Sequence, residues 1–337
     1  MKTKYNPLHL FAAMGGLVAL PAHAQFDYGL YGVADLSYAR VEPSGFEHED
    51  RFNSNSLSPT FVGVKASYGF ESGWTPGIAL ESFFRFQDMK FGRNDNDPVF
   101  SREAYASLMH RDYGTVRVGR LQTLLFNATV RFNALGNSTF SPAVRQVFNS
   151  GNLMGVQGDA YWNQAVGYTS PNLDGFTGAM IAARGEDSNP GHLFGATAIL
   201  AKGLFAASLS AQRVDIDNGI DDPTLEDTWQ VGASYNFGWA KVFGQYTHTR
   251  DRGLEVDSDV VSAGVSVPLG PGTVQAQIAS GKAEGLAISR KQTTTSAAYV
   301  YAFDSLTDIY VIATDDRVRG QARGFSIALG VRYLFDF

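Results

Sequence analysis

The sequence predicts an all-β protein, a 16-stranded antiparallel β-barrel that spans a membrane. Three observations lead to this prediction: an export signal occupies the first 24 residues, alternating apolar and polar segments recur through the rest of the chain, and the connections between them alternate between short and long. A membrane barrel with tight periplasmic turns and long outer loops has this pattern. A soluble β-sandwich also consists of strands and turns, but it does not require such a regular alternation.

The N-terminus has the organisation of a secretory signal. Lys2 and Lys4 precede an apolar run over residues 10–22, and "AHA" at 22–24 is a small-x-small cleavage site. The apolar run is too short for a membrane-spanning helix. We therefore expect a signal peptide over residues 1–24, cleavage after Ala24, and a single barrel domain over residues 25–337.

The composition limits the class of protein. There is no cysteine, so neither a disulfide framework nor a thiolate metal site is possible. Two of the 27 basic residues lie in the signal, which leaves 25 against 33 acidic residues. This negative balance argues against nucleic acid as a partner. No long apolar run follows the signal, so no membrane-spanning helix is expected.

Sixteen alternating segments follow the signal. They begin near Phe26, Leu57, Gly77, Phe100, Thr115, Trp162, Phe176, His192, Leu204, Thr228, Ala240, Ser258, Thr273, Gln292, Asp308 and Gly324. The short connections are "RDYG" at 111, "PNLDG" at 171, "AKG" at 201, "NFGW" at 236, "LGPG" at 269 and "FDSL" at 303. Long, charged connections are expected at Asp215 to Asp227 and Lys282 to Lys291. The faces of the segments starting at His192 and Asp308 cannot be assigned from the alternation.

Most segments have one apolar and one polar face. In "TWQVGASYNF" the side chains of Trp229, Val231 and Tyr235 share one face, opposite Gln230 and Gly232. In a membrane barrel the apolar face contacts lipid, so small and polar residues point inward and indicate a water-filled lumen.

The chain ends in "FSIALGVRYLFDF", in which every second residue from Phe325 to Phe337 is apolar. Lipid cannot satisfy backbone hydrogen bonds, so this strand must pair with the first one and close the sheet. The aromatic residues Tyr333, Phe335 and Phe337 suit the girdle at a membrane interface.

Four blocks of the chain resemble a known family. "VFSREAYASLMHRDYGTVRVGR" (99–120), "FVGVKASYGF" (61–70), "YTSPNLDGF" (168–176) and the Phe-terminated last strand are together similar to the trimeric porins of Gram-negative bacteria, most of all those of beta-proteobacteria. The resemblance implies a homotrimer in the cell outer membrane that admits small hydrophilic solutes by passive diffusion. It also implies contact with lipopolysaccharide, and a role for Phe337 in the signal recognised by the β-barrel assembly machinery.

The longest connection, residues 121–161, is a candidate constriction loop. It is rich in apolar side chains such as Leu125, Phe126, Phe132 and Phe140, which need a surface to pack against. An ordered external flap and a loop folded into the lumen are both possible, and the resemblance favours the second. The Pro-Glu-Phe-Gly-like stretch present at the loop tip of many porins is missing here.

Charge near this loop predicts a preference for anions. No acidic residue occurs from Leu121 to Gly158, and ion selectivity in pores follows the sign of the lining charges. The expected basic residues of the loop and wall are Lys65, Arg85, Arg117, Arg131, Arg145 and Arg332, and the expected inward acids are Asp35 and Glu81. The resemblance adds Arg102 and Arg120, which match wall arginines of the family. Strict alternation cannot point both Arg117 and Arg120 inward, so either a kink near Gly119 is required or one of the two assignments is wrong. Each arginine could instead be an ordinary salt-bridge partner or a rim residue.

Other functions find less support. Phe61 stands where many relatives have a wall arginine, which leaves a channel selective for aromatic or organic acids as an alternative. There is no nucleophile motif and no metal-ligand spacing, so we expect neither an enzyme nor a cofactor. A purely structural or adhesive barrel is also possible, but sixteen strands leave a channel. The acidic outer residues around Asp215 and Glu226 could bind calcium, although solvated loops have the same composition.

Overall fold

A computed structural model describes residues 25–148, 155–186, 189–216, 224–286 and 288–337. The expected signal, residues 1–24, lies outside the described residues. The strands are β1 Gln25–Val41, β2 Glu49–Ser54, β3 Phe61–Gly69, β4 Trp74–Arg85, β5 Lys90–Phe91, β6 Ala104–His110, β7 Gly114–Gln122, β8 Tyr161–Thr169, β9 Phe176–Glu186, β10 Asn189–Lys202, β11 Phe205–Ile216, β12 Thr224–Asn236, β13 Lys241–Asp251, β14 Val256–Leu269, β15 Gly272–Gly285, β16 Ile288–Ala302, β17 Thr307–Val318 and β18 Gly324–Asp336. Two helices, α1 Leu124–Arg131 and α2 Pro142–Phe148, lie between β7 and β8.

The strands form one closed antiparallel sheet. In the described part of the chain, sixteen strands build the barrel wall, while the short β2 and β5 extend it by pairing with the ends of β1 and β4. All sixteen predicted segments begin within four residues of a wall strand. The predicted 16-stranded antiparallel barrel is therefore confirmed. No helix among the described residues is long and apolar enough to cross a membrane.

The last strand closes the barrel along β1. Asp35 lies opposite Arg332 in this ladder, and the pairing continues to the end of the chain. The Leu30 N–H donates to the Phe337 carbonyl (3.0 Å), and the Phe337 N–H donates to the Leu30 carbonyl (2.8 Å). The backbone of Phe337 thus satisfies groups of β1 that lipid could not solvate.

The predicted faces are also found. On β12, Gln230 is fully buried, whereas Trp229 and Val231 on the other face are exposed. The same alternation runs through β18, where Ser326 and Ala328 face inward between the exposed Phe325 and Ile327.

The two unassigned strands owe their ambiguity to apolar residues on the inner face. On β17 the inward Tyr310 and Ile312 are buried, although the outward Ile309 and Val311 are apolar too. On β10 the inward Leu193 joins a buried cluster. Both strands therefore lack a polar face because other parts of the molecule cover their lumen side.

Two predicted loops are shorter than expected. Residues Lys282 to Lys291 are not a loop, because β15 continues to Gly285 and β16 starts at Ile288. At Asp215 to Asp227, β11 and β12 extend to Ile216 and from Thr224, and residues 217–223 lie outside the described part. The polar alternation of these ends suits strands that continue beyond the membrane into water.

Candidate pore constriction

The connection between β7 and β8 folds into the barrel. Its limits are residues 123–160 and not 121–161, because Leu121 and Gln122 belong to β7 and Tyr161 begins β8. Its two helices were not predicted. Thr123 caps α1 by accepting a hydrogen bond from the Phe126 N–H at 3.3 Å, and Pro142 occupies the first turn of α2, where a missing N–H costs nothing.

Inward-facing glutamines of the wall hold α1. Gln230 Nε2 donates to Thr129 Oγ1 at 2.7 Å, and Gln245 Nε2 donates to the Phe132 carbonyl at 3.2 Å. All four residues are buried. The polar inner face of β12 and β13 thus serves to anchor the loop, in addition to lining the lumen.

The second half of the loop is anchored to the next strands. Gln146 Nε2 of α2 donates to Thr294 Oγ1 on β16 at 3.0 Å, and Ser296 Oγ donates to the Phe140 carbonyl at 2.7 Å. Phe140 packs into a buried cluster on the inner wall that contains Ala39, Leu57, Tyr310 and Ile312. The loop therefore lies in the lumen, and the alternative of an external flap is wrong.

Two wall glycines leave room for the loop backbone. A Cβ atom on Gly232 would lie 2.8 Å from the Phe132 ring, and one on Gly264 would lie 2.9 Å from the Ala134 Cβ. Real Cβ contacts are longer than this, so any side chain at either position would displace the loop.

Arg102 contacts both an aromatic ring and a carboxylate. The guanidinium carbon of Arg102 lies 4.2 Å from the centroid of the Phe61 ring. Arg102 also donates to Glu81, and the Tyr31 hydroxyl donates to the same carboxylate. Arg102 lies in the loop just before β6 and not in a wall strand. Phe61, the departure from the family pattern, therefore packs against the guanidinium of Arg102. The Glu81 carboxylate is already paired with Arg102 and Tyr31.

Arg117 and Arg120 both point into the barrel. The ladder between β7 and β8 shifts its register between Gly119 and Leu121, and Gly119 has a φ of +142°. Arg117 lies 5.2 Å over the Tyr105 ring. Arg120 donates to Asn163 Oδ1 (2.8 Å) and, from the other end of its guanidinium, to the Ser101 carbonyl (2.8 Å). The expected kink at Gly119 is confirmed, and it removes the conflict between these two residues.

A residue absent from the sequence-based candidates ties the end of the constriction loop to another loop. Arg93 donates to both oxygens of Asp159 (2.7 and 2.8 Å) and to Asp97 (2.9 and 3.0 Å). These charged pairs raise the pKa of Arg93, against the opposing effect of burial. Asp159 also lies 3.7 Å from Arg120. The carboxylate of Asp159, near the end of the constriction loop, is therefore neutralised by two arginines.

The two arginines of the loop have no such partner. No carboxylate of the described residues lies within 4.0 Å of Arg131 or Arg145. Burial lowers the pKa of both guanidinium groups, but arginine starts so high that both stay charged. Lys241, also missed by sequence reasoning, shares the inner face of β13 with Gln245 and likewise has no described carboxylate in reach.

Two other predicted basic residues lie away from the loop and are paired. Lys65 Nζ donates to Asp336 Oδ1 at 2.9 Å near the end of the chain. Arg85 ends β4 and contacts Asp88 at 3.1 Å and Asp95 at 2.5 Å in the loop over residues 86–103. The structure therefore does not bring Lys65 or Arg85 together with the arginines of the constriction loop.

The remaining predicted pair, Arg332 and Asp35, lies on adjacent strands but is bound to other groups. Arg332 Nε donates to Asp308 at 3.0 Å. The Asp35 carboxylate is fully buried and accepts from the backbone N–H groups of Leu57 (2.9 Å) and Ser58 (2.7 Å) and from the Tyr310 hydroxyl (2.5 Å). Asp35 is thus a structural acid that fixes the chain before β3.

The charges around the loop are therefore unequal. Asp35, Glu81 and Asp159, and also the buried Glu226 and Asp316, all accept hydrogen bonds, whereas no described carboxylate lies within 4.0 Å of Arg117, Arg131, Arg145 or Lys241. Charges in a narrow lumen are screened less by water and salt than charges at a free surface.

Comparison with known proteins identifies the family. The family model for Gram-negative porins matches residues 10–321. The chain belongs to the Gram-negative porin family. Outer membrane porin protein 32 of Delftia acidovorans is 24% identical over 326 residues, which cover 92% of this chain and 88% of that protein.

Solved porin structures have the same fold. The anion-selective porin from Comamonas acidovorans gives a TM-score of 0.78 at 22% identity, covering 92% of this chain and all of that chain. A loop-deletion mutant of OmpT, an outer membrane protein of Vibrio cholerae, gives a TM-score of 0.73 at 15% identity, covering 92% of this chain and 99% of that one. The resemblance inferred from the sequence blocks is confirmed. As a porin, this chain is an outer-membrane channel whose strands cross the membrane many times.

Proposed function

We propose that this porin passes small hydrophilic solutes by passive diffusion with a preference for anions. The observation that carries the proposal is the arrangement of charge at the constriction loop. The carboxylates there are paired with hydrogen-bond donors, whereas Arg131 and Arg145 have no described carboxylate within 4.0 Å. The solved relative from Comamonas acidovorans is itself described as anion-selective, which agrees with this proposal. Under this proposal, Lys65, Arg85 and Arg332 contribute less to the anion preference, because each is paired with a carboxylate.

The experiment is a reversal potential in a salt gradient. The protein is reconstituted into planar bilayers with a tenfold gradient of KCl, and the zero-current voltage gives the ratio of chloride to potassium permeability. We expect the sign that corresponds to chloride preference. A potential of the opposite sign would contradict anion preference and leave the channel function intact.

A second candidate, a channel that favours aromatic carboxylates, is supported by the arrangement of Arg102. The guanidinium lies over the Phe61 ring, and Phe61 packs against the same buried apolar cluster, which includes Phe83 and Phe126, as the loop side chains Val130, Val144 and Phe148 do. A flat carboxylate could bind Arg102 through its charge and contact these apolar groups through its ring.

Substitution of Phe61 tests this candidate. In F61L the flat support of Arg102 is lost, and a cation–π contact contributes about 1 kcal/mol, so we expect benzoate to block chloride current with roughly fivefold weaker affinity. Acetate block should not change, since acetate has no ring. The matched control is F70L, a substitution in the turn after β3. An equal effect of F61L on acetate and benzoate would exclude a site specific for aromatic acids.

The assembly of the protein is also a proposal. We infer a homotrimer that contacts lipopolysaccharide, export with cleavage after Ala24, and a contribution of Phe337 to recognition by the assembly machinery. Conductance steps in groups of three would support the trimer, and a mature mass starting at Gln25 would support the cleavage. Single steps, or a retained signal, would refute the respective inference.

The role of Phe337 can be separated from channel function. Because the pairing with Leu30 uses backbone atoms, F337A keeps both hydrogen bonds and removes only the ring. We expect several-fold fewer folded trimers in the outer membrane, with normal conductance for those that form. Wild-type amounts of trimer in F337A would show that the ring is not part of the assembly signal.

A further inference from the structure

A second basic site lies at the periplasmic end of the lumen. Lys241 is the first residue of β13 and follows a short turn, and short turns mark the periplasmic rim of such barrels. Its side chain faces inward, since it alternates with the exposed, lipid-facing Val242. The Lys241 ammonium lies 4.9 Å from the centroid of the Phe243 ring on the same face. This cation–π contact holds the ammonium against the wall.

Arg131 brings a second positive charge to this site from the constriction loop. It is the last residue of α1, and its side chain is exposed to the lumen. Phe132, the next residue, packs over Gly232 of the wall, and its carbonyl accepts from Gln245 Nε2 at 3.2 Å. These contacts place Arg131 near enough to Lys241 for the two charges to repel each other. Such a pair is unfavourable until an anion binds between the two cations.

Neutral hydrogen-bond donors flank Lys241 on both neighbouring strands. Lys241 lies opposite Asn236 of β12 and Ser266 of β14, and side chains directly opposite one another share a face of the sheet. The Asn236 Oδ1 accepts from the Gly238 N–H at 2.9 Å, which leaves Nδ2 to donate to a ligand. The Ser266 hydroxyl has no hydrogen-bond partner among the described residues. Both side chains are therefore available to a bound anion.

The site offers several donors and no negative charge. No carboxylate of the described residues lies within 4.0 Å of Arg131 or Lys241. Two cations, an amide and a hydroxyl match a tetrahedral oxyanion, whose oxygens accept several hydrogen bonds and whose double charge is shared by both cations. Chloride carries one charge, and a carboxylate has only two oxygens in one plane. The donor set therefore favours a phosphate group over either of these anions.

We propose that Arg131 and Lys241 bind a doubly charged phosphate group, with Asn236 and Ser266 as additional donors. The ligand is inorganic phosphate or the phosphate group of a small ester. The proposal rests on the proposed anion preference, because the ligand must first enter the channel, and it adds a discrete binding site between α1 and the periplasmic rim. This site is separate from Arg102, which is paired with Glu81 and lies in the loop before β6.

The test measures how phosphate compounds block chloride current through channels in planar bilayers. Inorganic phosphate and glycerol 3-phosphate are added separately at about pH 8, where both are mainly dianions, and acetate is the monovalent comparison. We expect the phosphate concentration that halves the current to rise at least tenfold in K241M and in R131Q, since each variant loses a charge-assisted contact. For acetate we expect a change of less than about twofold.

The two phosphate compounds separate the possible sources of the ligand. Block of the wild type by inorganic phosphate alone would support the site and identify the free ion as its ligand. Block by both compounds would support the site and extend it to small phosphate esters.

The matched control is K202M, which removes the same charge beside a periplasmic turn. Lys202 ends β10 and is paired with Asp174 at 2.7 Å, so phosphate should block K202M as it blocks the wild type. Wild-type phosphate block in K241M, or an equal loss of block in K202M, would overturn the proposal. An equal loss of acetate block in K241M would also overturn it, because the substitution would then have lowered only the general positive potential of the lumen.

The reversal potential of the wild type keeps the two proposals apart. A cation-selective sign would refute the anion preference, whereas a chloride-selective sign with unchanged phosphate block in K241M would refute only the phosphate site.

Discussion

The double variant R131E/R145E is expected to convert the channel from anion preference to cation preference. Both arginines belong to the constriction loop and have no described carboxylate within 4.0 Å, although the buried Asp316 acts on Arg145 from a longer distance. At an effective dielectric near 20, two unit charges about 8 Å apart interact by about 2 kcal/mol. Water in the lumen reduces this value, and we therefore expect the ratio of chloride to potassium permeability to fall at least tenfold. The reversal potential in a KCl gradient measures this ratio.

The control for charge is R85E/R250E, which alters two arginines that lie outside the constriction. Arg85 is bound to Asp88 and Asp95 of the outer loop, and Arg250 is 3.8 Å from Asp257 on the outer face. This variant should keep the wild-type reversal potential to within a few millivolts. If both variants shift the potential equally, the net charge of the barrel determines selectivity, and the two loop arginines have no special role.

The second large effect is expected from G232L. The Phe132 ring occupies the space in which a Cβ at position 232 would lie, at 2.8 Å, and packed interiors do not absorb an added side chain without displacement. The hydrogen bonds from Gln230 and Gln245 keep α1 near this wall, so the leucine should push the loop further into the lumen. We expect single-channel conductance to fall to roughly half, with little change in the amount of folded protein.

The same substitution at Gly244 is the control for the extra volume. Gly244 lies on the adjacent β13, and a Cβ atom at this position would have the Ser262 carbonyl oxygen as its nearest neighbour, at 4.0 Å. G244L should conduct like the wild type. Wild-type conductance in G232L would mean that the loop does not rest on this wall.

Much of the fold follows from the alternation of side chains. Because side chains of a strand point to opposite faces, the sequence of β12 or β18 alone determines which residues contact lipid and which face water. The alternation could not assign the faces of strands whose inner side is covered by another part of the molecule. On β17 the inward Tyr310 and Ile312 are apolar because Phe140 of the constriction loop covers them. The helices of that loop have local signals, the Thr123 cap of α1 and Pro142 in the first turn of α2, and contacts with the wall hold them in the lumen.

The sequence predicted which charged residues the constriction loop contains, but not which partners they bind. The sequence established that residues 121–158 contain Arg131 and Arg145 but no acid, and it indicated either a kink near Gly119 or a wrong assignment of Arg117 or Arg120. It could not show that Arg93 binds Asp159, since the two residues are 66 positions apart. Nor could it identify Lys241 as a neighbour of the loop, or show that Arg85 and Arg332 are neutralised. Closing the sheet brings remote strands and loops together, and only this closure decides which charges meet a partner and which stay free to act on passing ions.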